Sequence, residues 1–285
     1  MIPAFVNPAA GNVDAVDQAL NKAGCYDVRP VTPDAVTQAV REAVAEGATR
    51  VAAVGGDGTV SAAAAAIAGT DVELVVIPAG TFNHFARDHG IPTELDAACA
   101  VGRSSRIECA DVAFVNGRLF LNTSSVGVYA NFLRVRDRWE PRLGYWSASA
   151  IAAGRTLVRV QPFNVHFGTD HLERTYETPL VFVGLGEREL KLPALGGRVA
   201  GGRSGLHVMI VRGRGRARLL ALAFAAAARG TRALTRTPHV DAYLVSRCRI
   251  EQRHSTVAVD GEIVSIDSPL DYELHARALR LVVAG

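Results

Sequence analysis

Three strand-like runs early in the chain each end in a turn of small residues, and helix-like sequence follows each turn. Ile2 to Val6 runs into Asn7-Pro8-Ala9-Ala10-Gly11, and Val13 to Ala23 then has helical spacing. Arg50 to Val54 runs into Gly55-Gly56-Asp57-Gly58-Thr59 and an alanine-rich helix. Glu73 to Ile77 runs into Pro78-Ala79-Gly80-Thr81 and a further helix. Between the first two lies a strand over Tyr26 to Val31, after which Thr32-Pro33-Asp34 opens a helix through Glu46. Strands that alternate with helices in this way form a mostly parallel sheet covered by helices. On such sheets ligands gather at the carboxyl ends of the strands, where all three turns fall.

The remaining sequence differs. Strand-like runs at 107–115 and 118–124 flank Asn116-Gly117, a strong hairpin signal. Further strands are expected at 162–167, 178–184, 206–211, 241–251, 255–259, 262–266 and 278–284, with helices at 143–158 and 216–235. The fold class is therefore an α/β domain with a mostly parallel sheet over residues 1–118, followed by a β-rich, sandwich-like domain over 119–285. A length of 285 residues suits about two domains, and 49% hydrophobic residues supply the cores.

Composition excludes several classes. The longest uninterrupted apolar run, Leu219 to Ala228, is far short of the ~20 residues of a spanning helix. The first residues, MIPAFVNPAAG, carry no basic segment and no long apolar stretch, unlike a secretory signal. Cys25, Cys99, Cys109 and Cys248 are scattered, which argues for a reducing, cytoplasmic setting over a disulfide frame or zinc site. The turn after the first strand is not GxGxxG, and no GxxxxGK[ST] occurs, so neither a Rossmann dehydrogenase nor a P-loop NTPase is indicated.

The glycines of GGDGT let backbone N–H groups approach a phosphate, and the following helix adds its positive dipole end. Thr59 can add a hydroxyl, and Asp57 can orient a metal, a water or a ribose. The blander reading is a βα turn whose glycines only relieve strain.

NPAAG at 7–11, GGDGT at 55–59, PAGTFNHFARDHGIP at 78–92 and DGE at 260–262 together resemble the bacterial diacylglycerol kinase-like lipid kinases, in order and approximate spacing over nearly the whole chain. GGDGT alone also resembles NAD kinases, and the PxGTxNxFAR stretch favours the lipid-kinase side. The resemblance implies a nucleotide domain, a β-sandwich-like lipid domain and a cleft between them, with the last strand packing back on the first domain. It implies ATP and Mg2+ as cofactors, a lipid alcohol as substrate, and a phosphoryl transfer. Carried over residue by residue, the nucleotide site comprises Asn7, Pro8, Gly11, Thr32, Gly55, Gly56, Asp57, Gly58, Thr59, Gly80, Thr81, Asn83 and Arg87. Asp57 and Glu262 are the implied catalytic residues, Glu262 as general base, with a catalytic magnesium near Asp57. By its own pattern VAVDGEIVS is a plain hairpin, and a hairpin tip can also present Glu262 to a site.

Five positions depart from the family pattern. His84 stands where relatives often carry aspartate, and it either tunes a magnesium network or simply packs. Tyr129 also replaces an aspartate. Ser204 precedes Gly205-Leu206 where relatives place a carboxylate, so no structural metal is expected there. Gly184-Leu185-Gly186-Glu187 replaces paired asparagines, and no basic residue directly follows NPAAG. These departures keep open a nucleotide- or lipid-binding protein without turnover. A kinase of a soluble alcohol such as NAD is the other alternative.

Positive charge is local. Gly201 to Val240 holds eight arginines and no acid, and Arg214, Arg218, Arg229, Arg232 and Arg236 share one face if the segment is helical. The 212–236 segment therefore suggests transient docking of a cytoplasmic protein on an anionic membrane surface. Aromatic residues do not alternate with those arginines, among which only Phe224 occurs, and this argues against nucleic acid. Trp139, Tyr145 and Trp146 either border a lipid entrance or pack a domain joint, and Arg134, Arg136 and Arg138 read as a solvated or headgroup-facing edge. The histidines other than His84 show no metal-ligand spacing.

Overall fold

The structure, a computed structural model, describes residues 1–8, 13–158, 160–190, 195–199, 201–213, 240–253 and 256–285. Gly11 and nearly all of the arginine-rich 212–236 segment lie outside the described residues. The chain divides into two compact units, Met1–Val112 with His275–Gly285, and Ala113–Leu274. The sequence-based boundary after Arg118 lies a few residues beyond this division, which falls inside the fifth strand.

In the first unit, β1 (Ile2–Val6), α1 (Val13–Ala23), β2 (Tyr26–Pro30), α2 (Val36–Ala45), β3 (Arg50–Gly55), α3 (Asp57–Ile67) and β4 (Glu73–Pro78) alternate. Short α4 (His84–Asp88) and α5 (Leu95–Val101) follow. β1 pairs in parallel with β2 and β3, and β3 pairs in parallel with β4. The end of the last strand, β18 (Leu270–Val282), joins β4 in parallel through Arg280↔Glu73 and Leu281↔Leu74. β3 and β4 are buried along almost their whole length, as strands covered on both faces must be, which explains their unbroken apolar runs. One core joins Val16, Ala19 and Leu20 of α1 and Ala98 and Cys99 of α5 to Ala4, Val54, Val75 and Ile77 of the sheet. At the amino ends of the strands, Arg50 bridges Glu73 at 2.6 Å and donates to the carbonyls of Gly102 and Ser104. The turns that begin at Asn7, Gly55 and Ala79 lie at the opposite ends of these strands.

β5 (Ile107–Val115) leads into the second unit, where nearly every strand pairing is antiparallel. β5 and β6 (Arg118–Phe120) form the hairpin expected at Asn116-Gly117, whose φ angles of 45° and 79° suit that pair. β7 (Thr123–Gly127), β8 (Phe163–Thr169), β9 (Leu172–Thr178) and β10 (Leu180–Leu185) follow. Next come β11 (Arg188–Leu190), β12 (Leu195–Arg198), β13 (Leu206–Val211) and β14 (Val240–Val245). β15 (Arg247–Glu251), β16 (Thr256–Val259) and β17 (Glu262–Ser265) complete the set before β18. One sheet runs β14-β13-β10-β7-β16-β17, and β8, β9, β15 and the start of β18 form the other face. A single core between them packs Val126, Val183, Val208 and Val257 with Phe167, Ile250, Leu270 and Tyr272.

The run expected as one strand over 241–251 is two, because Ser246 is the corner between β14 on one sheet and β15 on the other. The helix expected from 143 begins at Val128: α6 (Val128–Val158) starts where Gly127 (φ 99°) turns the chain and Val128 N–H donates to the Pro179 carbonyl at 2.9 Å. Arg134, Arg136 and Arg138 therefore lie on a helix, with Arg134 and Arg138 exposed and Arg136 half-buried.

Candidate functional site

The carboxyl ends of β1 to β4 lie side by side, and their first turn residues continue the ladder. Asn7 N–H donates to the Val54 carbonyl at 3.2 Å, Val31 N–H to Val6 at 2.9 Å, and Ala79 N–H to Gly55 at 2.9 Å. The turns bearing Asn7 and Pro8, Thr32, Gly55 to Thr59, and Gly80 to Arg87 are thereby gathered on one edge of the sheet. Pro8, Thr32, Gly58, Thr81 and Arg87 are exposed there. The hydroxyl of Thr32 donates to Asp34 and holds that carboxyl below its ordinary pKa.

Two turns touch through their glycines. A Cβ on Gly80 would stand 2.4 Å from the Cα of Gly56, and a Cβ on Gly55 would stand 2.5 Å from the hydroxyl of Thr59. Glycine is needed at 80 for backbone-to-backbone approach and at 55 for the approach of the Thr59 side chain, not for an unusual φ. Thr59 is buried against Gly55, so its hydroxyl faces inward and not outward as the motif alone suggested. Gly56 stands at the N-cap of α3 and supplies no side-chain cap to the helix. An uncapped helix start beside closely packed glycines suits an anionic group.

Asp57 has a role the sequence did not disclose. Its Oδ1 accepts the backbone N–H of Phe85 at 2.9 Å and its Oδ2 that of His84 at 3.1 Å, so one carboxylate caps the start of α4. Asn83 supports the same turn from within. Its side chain donates to the Gly80 carbonyl at 2.8 Å and accepts the Gly80 N–H at 3.1 Å, with its own backbone left-handed at φ 50°. Asparagine tolerates that conformation better than most residues. The ring of His84 is exposed and stacks on Phe82, with centroids 5.5 Å apart and planes within 5°.

The fit to a protein-held magnesium is poor. Among the described residues no group of three or more His, Cys, Asp or Glu side chains can hold a metal ion, and both Asp57 oxygens already accept N–H groups. The fit to nucleotide phosphates is good, resting on the uncapped α3 start and the Gly56–Gly80 contact.

In the second unit, β16 and β17 form the expected hairpin, Val259↔Glu262, with Asp260 at φ 46° and Gly261 at φ 86°. Asp260 anchors it: Oδ2 accepts the Leu121 N–H and Oδ1 the Asn122 and Thr123 N–H groups, all at 2.8 to 3.0 Å. Asp260 N–H in turn donates to the Thr123 carbonyl at 2.8 Å. Glu262 stands exposed just past the tip and pairs with Arg118 at 3.0 Å. Two buried polar atoms nearby, Asn122 Oδ1 and Ser125 Oγ, have no hydrogen-bond partner. Neither was marked by any sequence signal, because an orphaned acceptor is a property of packing.

The other departures are also placed. Tyr129 opens α6 with its ring stacked on Phe132, and burial pushes its phenol up from the ordinary value. Ser204 is exposed in a loop closed by Glu187, which accepts the Arg203 N–H at 3.3 Å and pairs with its guanidinium at 3.7 Å. Gly186 and Glu187 N–H groups donate to the Gly205 and Arg203 carbonyls across the same loop. Trp139 and Tyr145 sit within α6 under Arg155 and Arg136 respectively, whereas Trp146 is 75% exposed.

Comparisons with known proteins converge on one description. Residues 2–115 match the family of the diacylglycerol kinase catalytic domain. A diacylglycerol kinase of Mycobacterium tuberculosis is 40% identical over 107 residues, 35% of each chain. A Pseudomonas aeruginosa protein named "Probable lipid kinase YegS-like" is 42% identical over 90 residues, 31% of this chain and 30% of that one. The matched stretches thus span about a third of the length of these relatives. The solved structure of a candidate diacylglycerol kinase from Bacillus anthracis has the same fold, with a TM-score of 0.76 at 23% identity over 99% of this chain and 97% of that one.

Proposed function

We propose, from the match of residues 2–115 to the diacylglycerol kinase catalytic-domain family, that the chain is an ATP-dependent lipid kinase. It transfers the γ-phosphoryl group to the hydroxyl of a lipid alcohol of the diacylglycerol kind. The observation that carries this reading is the phosphate cradle: an α3 start with no side-chain cap, set where Gly56 meets Gly80. Backbone N–H groups fixed in place cost no reorganisation when charge develops on the transferring oxygens.

In the transfer, the lipid oxygen attacks the γ-phosphorus, the bond to the ADP oxygen breaks, and the hydroxyl proton leaves to a carboxylate. Glu262 is the proposed acceptor of that proton. Support comes from its exposure beside a tip pinned by three N–H contacts to Asp260. Rigid support of this kind is what a general base needs to keep its geometry. Asp57 and Asn83 fix the turn that borders the cradle, so their proposed role is positioning. Magnesium, when bound, neutralises phosphate charge and travels with ATP, since Mg2+ commonly takes few protein ligands.

The test uses radiolabelled ATP with magnesium and mixed micelles of a total lipid extract. Labelled lipid made by wild type and abolished by Glu262→Gln supports the reading. Label transfer that survives Glu262→Gln removes Glu262 as the base. The Arg118–Glu262 pair and the lack of an acidic cluster among the described residues favour a second reading, nucleotide binding without turnover. ATP binding with no product from any lipid alcohol selects it.

A further inference from the structure

α6 is not one rod. Gly144, at φ 71° and ψ 166°, interrupts it, and Pro141 precedes the break. The guanidinium of Arg155 lies 5.5 Å from the Trp139 ring, and that of Arg136 lies 5.6 Å from the Tyr145 ring. In a straight helix Trp139 and Arg155 would be separated by about 24 Å at ~1.5 Å per residue. The two halves must therefore fold back on each other as a helical hairpin whose tip is 141–147. Each half has an inner face: Ala130 and Leu133 are buried in the first, Ala148, Ala152 and Thr156 in the second.

The tip is built the other way. Residues 141–144, 146 and 147 are all exposed, and among them Leu143 is 44% and Trp146 75% exposed. Large apolar side chains at an exposed tip gain nothing from water. Positive charge surrounds them: within 128–158 five arginines face two acids, a balance of +3, and Arg134, Arg138 and Arg142 are exposed. A tryptophan and a leucine at the point, with Arg142 beside them and Arg134 and Arg138 exposed on the preceding half, match the chemistry of a bilayer interface. Apolar groups enter the acyl boundary, the indole sits at the glycerol level, and guanidinium groups meet anionic headgroups.

We infer that the 141–147 tip of this hairpin inserts Leu143 and Trp146 into the surface of an anionic bilayer. The occupant is a lipid surface, argued from charge complementarity and from the exposure of Leu143 and Trp146 among arginines. This goes beyond the lipid-kinase reading, which it would serve by bringing a membrane-resident substrate within reach, and it places docking on a different element from the 212–236 segment.

The test needs no ATP, so its failure and that of the kinase reading are separable. Trp139→Phe leaves Trp146 as the sole indole. That variant is mixed with vesicles of phosphatidylglycerol and phosphatidylcholine, some brominated near the top of the acyl chains. The expected result is a blue shift and bromine quenching of Trp146 on anionic vesicles only. In the wild-type background, Leu143→Ser with Trp146→Ser should weaken binding by about tenfold or more, and Arg138→Gln or Arg142→Gln by about fivefold each. Vesicle binding that leaves Trp146 unquenched and survives the double variant overturns the inference, because binding then lies elsewhere. Absence of vesicle binding overturns it as well. So does a dimer in sedimentation that Leu143→Ser with Trp146→Ser dissolves, since a second copy would then cover the patch.

Discussion

Replacing Asp57 with alanine separates a positioning role from a chemical one. The carboxylate accepts two backbone N–H groups, from His84 and Phe85, at 3.1 and 2.9 Å. Both belong to the start of a five-residue helix that has no other side-chain cap. Loss of a helix cap costs about 0.5–2 kcal/mol, and hydrogen bonds to a charged acceptor contribute about 1.5–3 kcal/mol. Asp57 also lies in the first turn of α3, where a negative charge contributes a further ~0.3–1 kcal/mol. Solvent partly replaces these contacts because the site is only half-buried, so Asp57→Ala should destabilise the first unit by about 1–3 kcal/mol. At about 2–4 °C per kcal/mol, the melting temperature should fall by roughly 2–12 °C. Asp57→Asn should lie between, since one amide oxygen can still accept while the NH2 group faces a donor. Differential scanning calorimetry reads the stability, and titration with ATP in EDTA reads the cradle without metal. ATP affinity should fall along with the melting temperature. An unchanged melting temperature with lost turnover would refute the reasoning and return Asp57 to direct chemistry.

Three further outcomes follow from single contacts. Gly80→Ala should destabilise by about 1–3 kcal/mol, because its Cβ would meet the Gly56 Cα at 2.4 Å, whereas Gly56→Ala, at 3.4 Å from Gly80, should be milder; thermal melts of the pair read the difference. Asp260→Ala strands three N–H groups and should cost about 2–4 kcal/mol in urea unfolding, while Glu262→Gln, on an exposed side chain, should change stability by less than about 0.5 kcal/mol. His207 is buried, and desolvation depresses its pKa below the ordinary 6.5 while its Nδ1 accepts the Arg188 N–H at 3.0 Å. The unfolded chain therefore binds a proton first as pH falls, so stability is full above about 6.5 and declines below it. His207→Gln should flatten that decline in denaturation measured from pH 7.5 to 5, and an equally steep decline in the variant would exclude His207 as its source.

The sequence disclosed the parallel sheet well, because β3 and β4 are buried on both faces and leave unbroken apolar runs. It disclosed the two tight hairpins, because Asn116-Gly117 and Asp260-Gly261 need positive φ at both positions. It failed where tertiary contact sets the element. β9, LERTYET, has only Leu172, Tyr176 and little else to mark a strand, yet it pairs with β8 along its whole length. The sequence marks the helix only from 143, but α6 starts at Val128, where Gly127 turns the chain. Arg136, read as part of a solvated or headgroup-facing edge, is in fact 17% exposed and pairs with Asp137 and Glu140. β18 begins at Leu270, well before the expected 278, and passes a left-handed Arg277 whose N–H donates to Asp111 at 2.9 Å.

The candidate site was legible as a set of positions but not as a set of roles. Asp57, Asn83 and Asp260 carry the polar side chains of their motifs; Asp57 and Asp260 spend them on backbone groups of a neighbouring turn, and Asn83 on Gly80 of its own turn. That changes the weight of the His84 departure. Asp57 holds residue 84 through its backbone N–H, which every residue except proline offers, so a histidine there leaves the clamp intact. The imidazole instead stacks outward on Phe82. His84→Asp should consequently leave the melting temperature nearly unchanged, in contrast to Asp57→Ala. Any change it makes in turnover then reports on the charge beside the proposed phosphate site and not on the fold, since the clamp holds residue 84 through its backbone.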